Sequence, residues 1–260
     1  MSCMARSHGS NDVRPFVSTH PTARKAIVMT YVWIAIAVAF IPIEILELDE
    51  GLVTSDSIDY LFLAYGFFAL AEFTAIIAAI ILFFLWFYRA YRNLPSLGAT
   101  ELEFSPLRAV IYFFVPILCL WKPFVGTKEI WNVSASETGA SSKLSRAQMD
   151  TPPIVSLWWA FWIISNVVGW AIFRRGFLGE STESAWLYVA SDILDVVSGL
   201  LTILLIQKID RMQATKSGIV NRQYSPPSDP VILQDPGNST MKNVDLSDEA
   251  GGQDFASQKP

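Results

Sequence analysis

Ala109-Val110-Ile111-Tyr112-Phe113-Phe114-Val115-Pro116-Ile117-Leu118-Cys119-Leu120-Trp121 is the stretch on which the fold of this chain turns, because whether it crosses a membrane sets the number of spans. It holds 13 uncharged residues between Arg108 and Lys122. At about 1.5 Å per residue, a helix of that length reaches ~20 Å, short of a hydrocarbon core of ~30 Å. Apolar runs of about 10–14 residues are more often re-entrant, interfacial or buried. Pro116 would also remove a backbone donor and kink any helix through it.

Four longer apolar runs flank this stretch: Ala26–Ile43, Tyr60–Tyr88, Ile154–Phe173 and Ala185–Gln207. Each is long enough to traverse the core. Charge then decides the ambiguous segment. If only the four long runs cross, one side holds four Lys and Arg in the N-terminal arm, seven in Arg89–Arg146 and six from Lys208 onward, against Arg174 and Arg175 alone on the other. If the segment crosses as well, the two sides hold nine and ten, and the bias vanishes. Basic residues collect in cytoplasmic flanks, so four crossings are predicted, with both termini and Arg89–Pro153 in the cytoplasm. The fold class is therefore an all-α integral membrane protein of four transmembrane helices plus a short re-entrant or interfacial hairpin over 109–131.

Composition agrees: 52% of residues are hydrophobic, nine are Trp and the mean hydropathy is +0.37, beyond what ordinary soluble domains show. The net charge of −5 comes largely from acids in Glu47–Asp59 and the C-terminal tail. These are solvated segments, and no nucleic-acid partner is expected. Cys3 and Cys119 offer no disulfide framework, and both histidines, His8 and His20, lie in the polar arm. No metal site and no cofactor is expected. Ala37-Val38-Ala39 resembles a signal-peptidase site, but apolar sequence continues past it, so the first run reads as a retained anchor. Three domains follow: a polar arm 1–25, a membrane domain 26–214, and an acidic tail 215–260, Pro- and Ser-rich and expected to be disordered.

Trp and Tyr favour the headgroup level. Trp86, Tyr88, Tyr91, Trp158 and Trp159 are expected at inner ends, and Tyr60, Trp170, Trp186 and Tyr188 at outer ends, with Trp33 and Trp162 as packing residues. Trp121, Phe124, Lys128 and Trp131 are spaced by three or four, which suits a surface-lying helix with Lys128 snorkelling to headgroups. Asn132-Val133-Ser134 and Asn238-Ser239-Thr240 match the glycosylation pattern but fall on the cytoplasmic side, where chance explains them.

Several separated motifs, in order, resemble one known family. They are Phe84-Leu85-Trp86-Phe87-Tyr88-Arg89-Ala90-Tyr91-Arg92-Asn93, then Ser105-Pro106, then Val115-Pro116-Ile117 with Leu120-Trp121-Lys122-Pro123-Phe124 and Trp131. Leu157-Trp158-Trp159-Ala160-Phe161-Trp162 and Leu205-Ile206-Gln207-Lys208-Ile209 complete the set. The chain thereby resembles the bacterial membrane-protein family termed domain of unknown function 4328 over residues 26–214. In that family Gly-Trp often follows the Ser-Pro, whereas this chain has Leu107-Arg108. The resemblance implies a bacterial integral membrane protein with no assigned reaction or cofactor. The family-motif positions are Trp86, Arg89, Asn93, Pro106, Pro116, Trp121, Pro123 and Trp131.

Ionisable groups at membrane depth are costly and usually face a bundle interior. Tyr188, Ser191, Asp192, Asp195, Ser198, Gly199 and Thr202 share one face of the last run, Ser165, Asn166 and Gly169 share one of the third, and Glu72 lies mid-way along the second. Glu72 and Asp195 fall at similar depth, so Glu72, Asn166, Asp192 and Asp195 form a candidate polar cluster. The small residues Gly66, Gly169, Ser198 and Gly199 suit close helix contacts. The favoured reading is a structural or interaction component whose carboxyl groups hold helices together, with the lipid bilayer and either a second copy or another membrane protein as partners. The alternative is a small proton- or cation-coupled transporter. An enzyme is not expected: Asp192-Ile193-Leu194-Asp195 has Mg²⁺-holding spacing, but no second acidic helix supports it.

Overall fold

The computed structural model describes residues 15–47, 58–136, 149–177 and 185–224, and these form helices joined by turns without a strand among them. Among the described residues there are six α-helices: α1 His20–Glu47, α2 Ile58–Arg92, α3 Pro106–Ile111, α4 Lys122–Ala135, α5 Pro153–Phe177 and α6 Ala185–Tyr224. Among the described residues, four of them (α1, α2, α5 and α6) are long and apolar enough to cross a membrane. The molecule is an all-α membrane protein.

Every long helix outruns its apolar core. Thr19 starts α1, its carbonyl accepting the amides of Thr22 and Ala23 at 3.0 and 2.9 Å. The helix therefore begins six residues before the apolar run does, and it continues unbroken through Ala37-Val38-Ala39. At the other extreme α6 has 40 residues, about 60 Å of helix and twice a hydrocarbon core. Its last turns reach Tyr224 and overrun the expected start of the tail at residue 215. The remainder of the tail and residues 48–57, 137–148 and 178–184 lie outside the described residues.

The decisive stretch does not form one hairpin helix. Ser105 accepts the Arg108 amide at 3.4 Å and Pro106 sits in the first turn, so the Ser-Pro pair is the start signal of α3. The helix ends at Ile111, five residues ahead of Pro116, and a turn takes Ile117 to φ +69°. That is a strained value for a β-branched residue. A single 3-10 turn, Leu118–Leu120, then leads into α4, which opens on Pro123.

Helix packing follows α2–α1–α6–α5, with α1 against both α2 and α6, and α5 against α6. At the α1–α6 crossing, a Cβ on Gly199 would stand 3.0 Å from Ile34 Cδ1 and 3.1 Å from Trp33 Cζ3, so any larger residue there would need these side chains to give way by a few tenths of an ångström. Gly66 and Gly169, by contrast, have open space where a Cβ would go. The most buried part of the molecule is one end, here termed the head. There the start of α1, the end of α2, α3, α4, the start of α5 and the outrun of α6 enclose Trp86, Phe87, Tyr91, Leu94, Ile130 and Ile209. Trp86, Tyr91 and Trp158 are thus core residues of the head, each at most 1% exposed. Their burial takes them away from a headgroup-facing surface: Trp158, for one, lies 6.2 Å from the Phe83 ring of α2 and donates to Thr202 of α6. Tyr60 and Trp170 are exposed on the helices.

Candidate functional site

Two places gather polar groups: the head, and a cleft between α2 and α5. In the head the α2 terminus needs partners for its last carbonyls. Gln213 of α6, fully buried, donates Nε2 to the Ala90 carbonyl at 3.0 Å. Asn93 clamps the arm that precedes α1, donating Nδ2 to the Val17 carbonyl at 2.7 Å and accepting the Val17 amide at 3.2 Å. The Tyr91 hydroxyl donates to Glu129 Oε2 and accepts the Phe104 amide at 3.0 Å, while Glu129 Oε1 accepts the Glu103 amide at 3.1 Å. One buried carboxylate thereby ties α2, the 101–104 turn and α4. Lys216 donates to the Val133 carbonyl at 2.5 Å, satisfying the end of α4. Thr19 and His20 both reach Asp210, at 2.7 and 2.9 Å.

Most family-motif positions build this head. Trp86 is sealed in its core, Asn93 makes the Val17 clamp, Pro106 and Pro123 open α3 and α4, and Trp131 packs against the core from α4. Arg89 is exposed but its carbonyl accepts the Asn93 amide at 3.1 Å. Pro116 and Trp121 are exposed at the two ends of the 3-10 turn region. On α4 the buried side runs through Pro123, Gly126, Thr127, Ile130, Val133 and Ser134, and Phe124, Lys128 and Trp131 are half-buried beside it. Asn132, in the first glycosylation pattern, is 2% exposed, which leaves no acceptor surface. The second pattern lies outside the described residues.

The cleft exists because α2 and α5 stand at the two ends of the packing order. Toward the head they are bridged by rings: Phe83 and Trp158 lie 6.2 Å apart, and Phe113, from the decisive stretch, packs on Phe84 at 5.1 Å and Trp162 at 6.1 Å. The stretch is a plug between helices. Trp159 fastens it, donating Nε1 to the Leu120 carbonyl at 3.2 Å and stacking on Trp162 at 4.8 Å. Beyond the plug the helices part around a cavity of about 590 Å³. Its walls are aromatic and aliphatic, and its floor carries Thr30, Ser165, Asp195, Ser198 and Thr202.

Ser165 of α5 donates to Asp195 Oδ1 of α6. About two turns further toward the head, Trp158 donates to Thr202 at 3.0 Å, and Thr202 to the Ser198 carbonyl at 2.8 Å. Glu72 of α2, half-buried, lies within electrostatic reach of Asp195 and beside Trp33. The Trp33 indole nitrogen is buried without a hydrogen bond of normal geometry. Of the four residues expected to cluster, Glu72 and Asp195 come within electrostatic reach of each other, though Glu72 does not line the cleft; Asp192 is half-buried and does not line it either. Asn166 faces the cleft but turns its amide back to the Trp162 carbonyl of its own helix at 2.7 Å. The partner Asp195 takes is Ser165, one residue earlier.

The family model described as Domain of unknown function (DUF4328) matches residues 50–211. The chain belongs to this family. The match takes in α2 through most of α6 and starts later than residue 26, so α1 falls outside it. No curated protein and no solved structure matches the chain. Sequence reasoning missed Tyr91–Glu129, Gln213 and Lys216, since Glu129 sits in a helix read as surface-lying and Lys216 in a stretch read as tail.

Proposed function

We propose that the protein is a non-catalytic structural or interaction component of the bacterial inner membrane, with its head and both termini in the cytoplasm. The observation that carries this reading is the use to which the family-motif residues are put. Trp86, Asn93, Pro106, Pro123 and Trp131 build or open the elements of a closed, hydrogen-bonded head and converge on no reactive group. Such residues hold a surface in shape, as a docking platform requires. Arg24, Lys25, Arg89, Arg92, Arg108 and Lys122 all sit at the head end, which favours the cytoplasmic side. Purification of the full chain in mild detergent tests the reading. A stoichiometric co-purifying membrane protein or a stable homo-oligomer is expected, and a lone monomer that binds nothing would count against it.

A second reading, a proton- or cation-coupled transporter, draws on Asp195, Ser165 and Glu72 at mid-helix depth. The two readings part at Asp195. In the structural one Asp195→Asn preserves assembly, because the amide still takes the Ser165 hydroxyl, whereas Asp195→Leu weakens it. In the transport reading Asp195→Asn abolishes a cation-dependent response in proteoliposomes while the fold survives.

A further inference from the structure

The cleft combines three properties that no part of the head shares. It is roomy enough for a drug-sized molecule, at about 590 Å³. Aromatic faces dominate its walls, with Trp33, Phe83, Phe113, Trp162 and Trp170 among them. Its lining carries a carboxylate, Asp195, with no Lys, Arg or His beside it. Ser165 takes Asp195 Oδ1, which leaves the second oxygen for an incoming group. Glu72 stands behind as a further acid.

An anion set on the floor would meet the Asp195 carboxylate with Glu72 near it, and no Lys, Arg or His lines the cleft, so burying it there would be costly. A neutral hydrocarbon would fill the walls but leave the acidic floor uncompensated. A compact positive charge on an apolar body answers both. The charge meets Asp195 in a medium of low dielectric, and the body meets rings whose faces are electron-rich. One wall already shows the chemistry, since the Arg174 guanidinium lies 5.5 Å from the centre of the Trp170 ring.

We propose that the cleft between α2 and α5 is a binding site for a lipophilic organic monocation, its charge set against Asp195 and its apolar body against Trp33, Phe83, Phe113 and Trp162. This goes beyond both functional readings, because it concerns what occupies the cleft and holds whether or not the ligand is moved.

The test uses the full chain in mild detergent and two probes of nearly one shape, tetraphenylphosphonium and tetraphenylborate, followed by tryptophan fluorescence and isothermal titration. The cation is expected to bind saturably and the anion not to. Asp195→Asn should weaken the cation by about 30-fold or more, the scale for removing one partner of a buried charge pair, and Asp195→Glu should restore part of it. Gly169→Leu fills the cleft from a position where a Cβ meets nothing within 4 Å; it should abolish binding with the carboxylate intact. Equal binding of both probes, or cation binding unchanged in Asp195→Asn or in Gly169→Leu, would overturn the proposal. The interaction reading of the head stands or falls separately, by co-purification.

Discussion

Tyr91 shows how a single residue can hold the head of a membrane protein together. Its hydroxyl is both donor, to Glu129, and acceptor, from the Phe104 amide, so Tyr91→Phe leaves one buried amide and one buried carboxylate each short of a partner. A loss of about 1–3 kcal/mol is expected, the cost of an unsatisfied buried group. It should be read as a lowered melting temperature in detergent, and an unchanged melt would show that water replaces the hydroxyl. Gly199 is a second single-residue control point. Gly199→Val drives methyl groups into Ile34 and Trp33, already 3.0 and 3.1 Å from a Cβ, and overpacking of this kind costs about 1–3 kcal/mol. Gly66→Ala is the matched control, entering open space in α2. It should leave the melt unchanged or raise it slightly, as alanine favours helix.

At the level of elements, the outrun of α6 is what makes the head. Ile209 and Gln213 are fully buried there, and Lys216 closes the end of α4. A chain ending at Lys208 would lose all three. Burial of Ile209 alone stabilises by about 1.5–3 kcal/mol, so that truncation should run as an aggregate on size exclusion. A chain ending at Tyr224 keeps every one of these contacts and should elute as a single species. Equal behaviour of the two chains would show that the head stands without the α6 outrun. The decisive stretch is also best understood as an element. Pro116 and the +69° turn at Ile117 stop it from being a helix long enough to cross, and its Phe113 is thereby free to fill the gap between α2 and α5.

For the whole molecule, the proposed orientation is a matter of charge and can be checked at exposed positions at either end. In a background with Cys3 and Cys119 replaced by serine, Arg174→Cys should react with a membrane-impermeant maleimide in intact cells, and Arg108→Cys only after permeabilisation. The reverse pattern would invert the topology. Four helices long and apolar enough to cross a membrane, and a central stretch that forms no such helix, were legible in the sequence, because hydropathy is a sum along the chain and needs no knowledge of neighbours. The family motifs were legible for the same reason, as local order. Their role was not: Trp86 and Trp158 read as interfacial anchors, and only the packing of the head's elements around them makes them core. Nor could linear spacing choose Ser165 over Asn166 as the partner of Asp195, since adjacent residues on a helix point about 100° apart and the rotation of α5 against α6 selects between them. Gln213 and Ala90 are 123 residues apart in the chain. The sequence alone determined which segments enter the membrane, through composition. Only the tertiary structure decided which polar groups meet and where a cleft remains, because both depend on the sideways packing order of helices that composition leaves open.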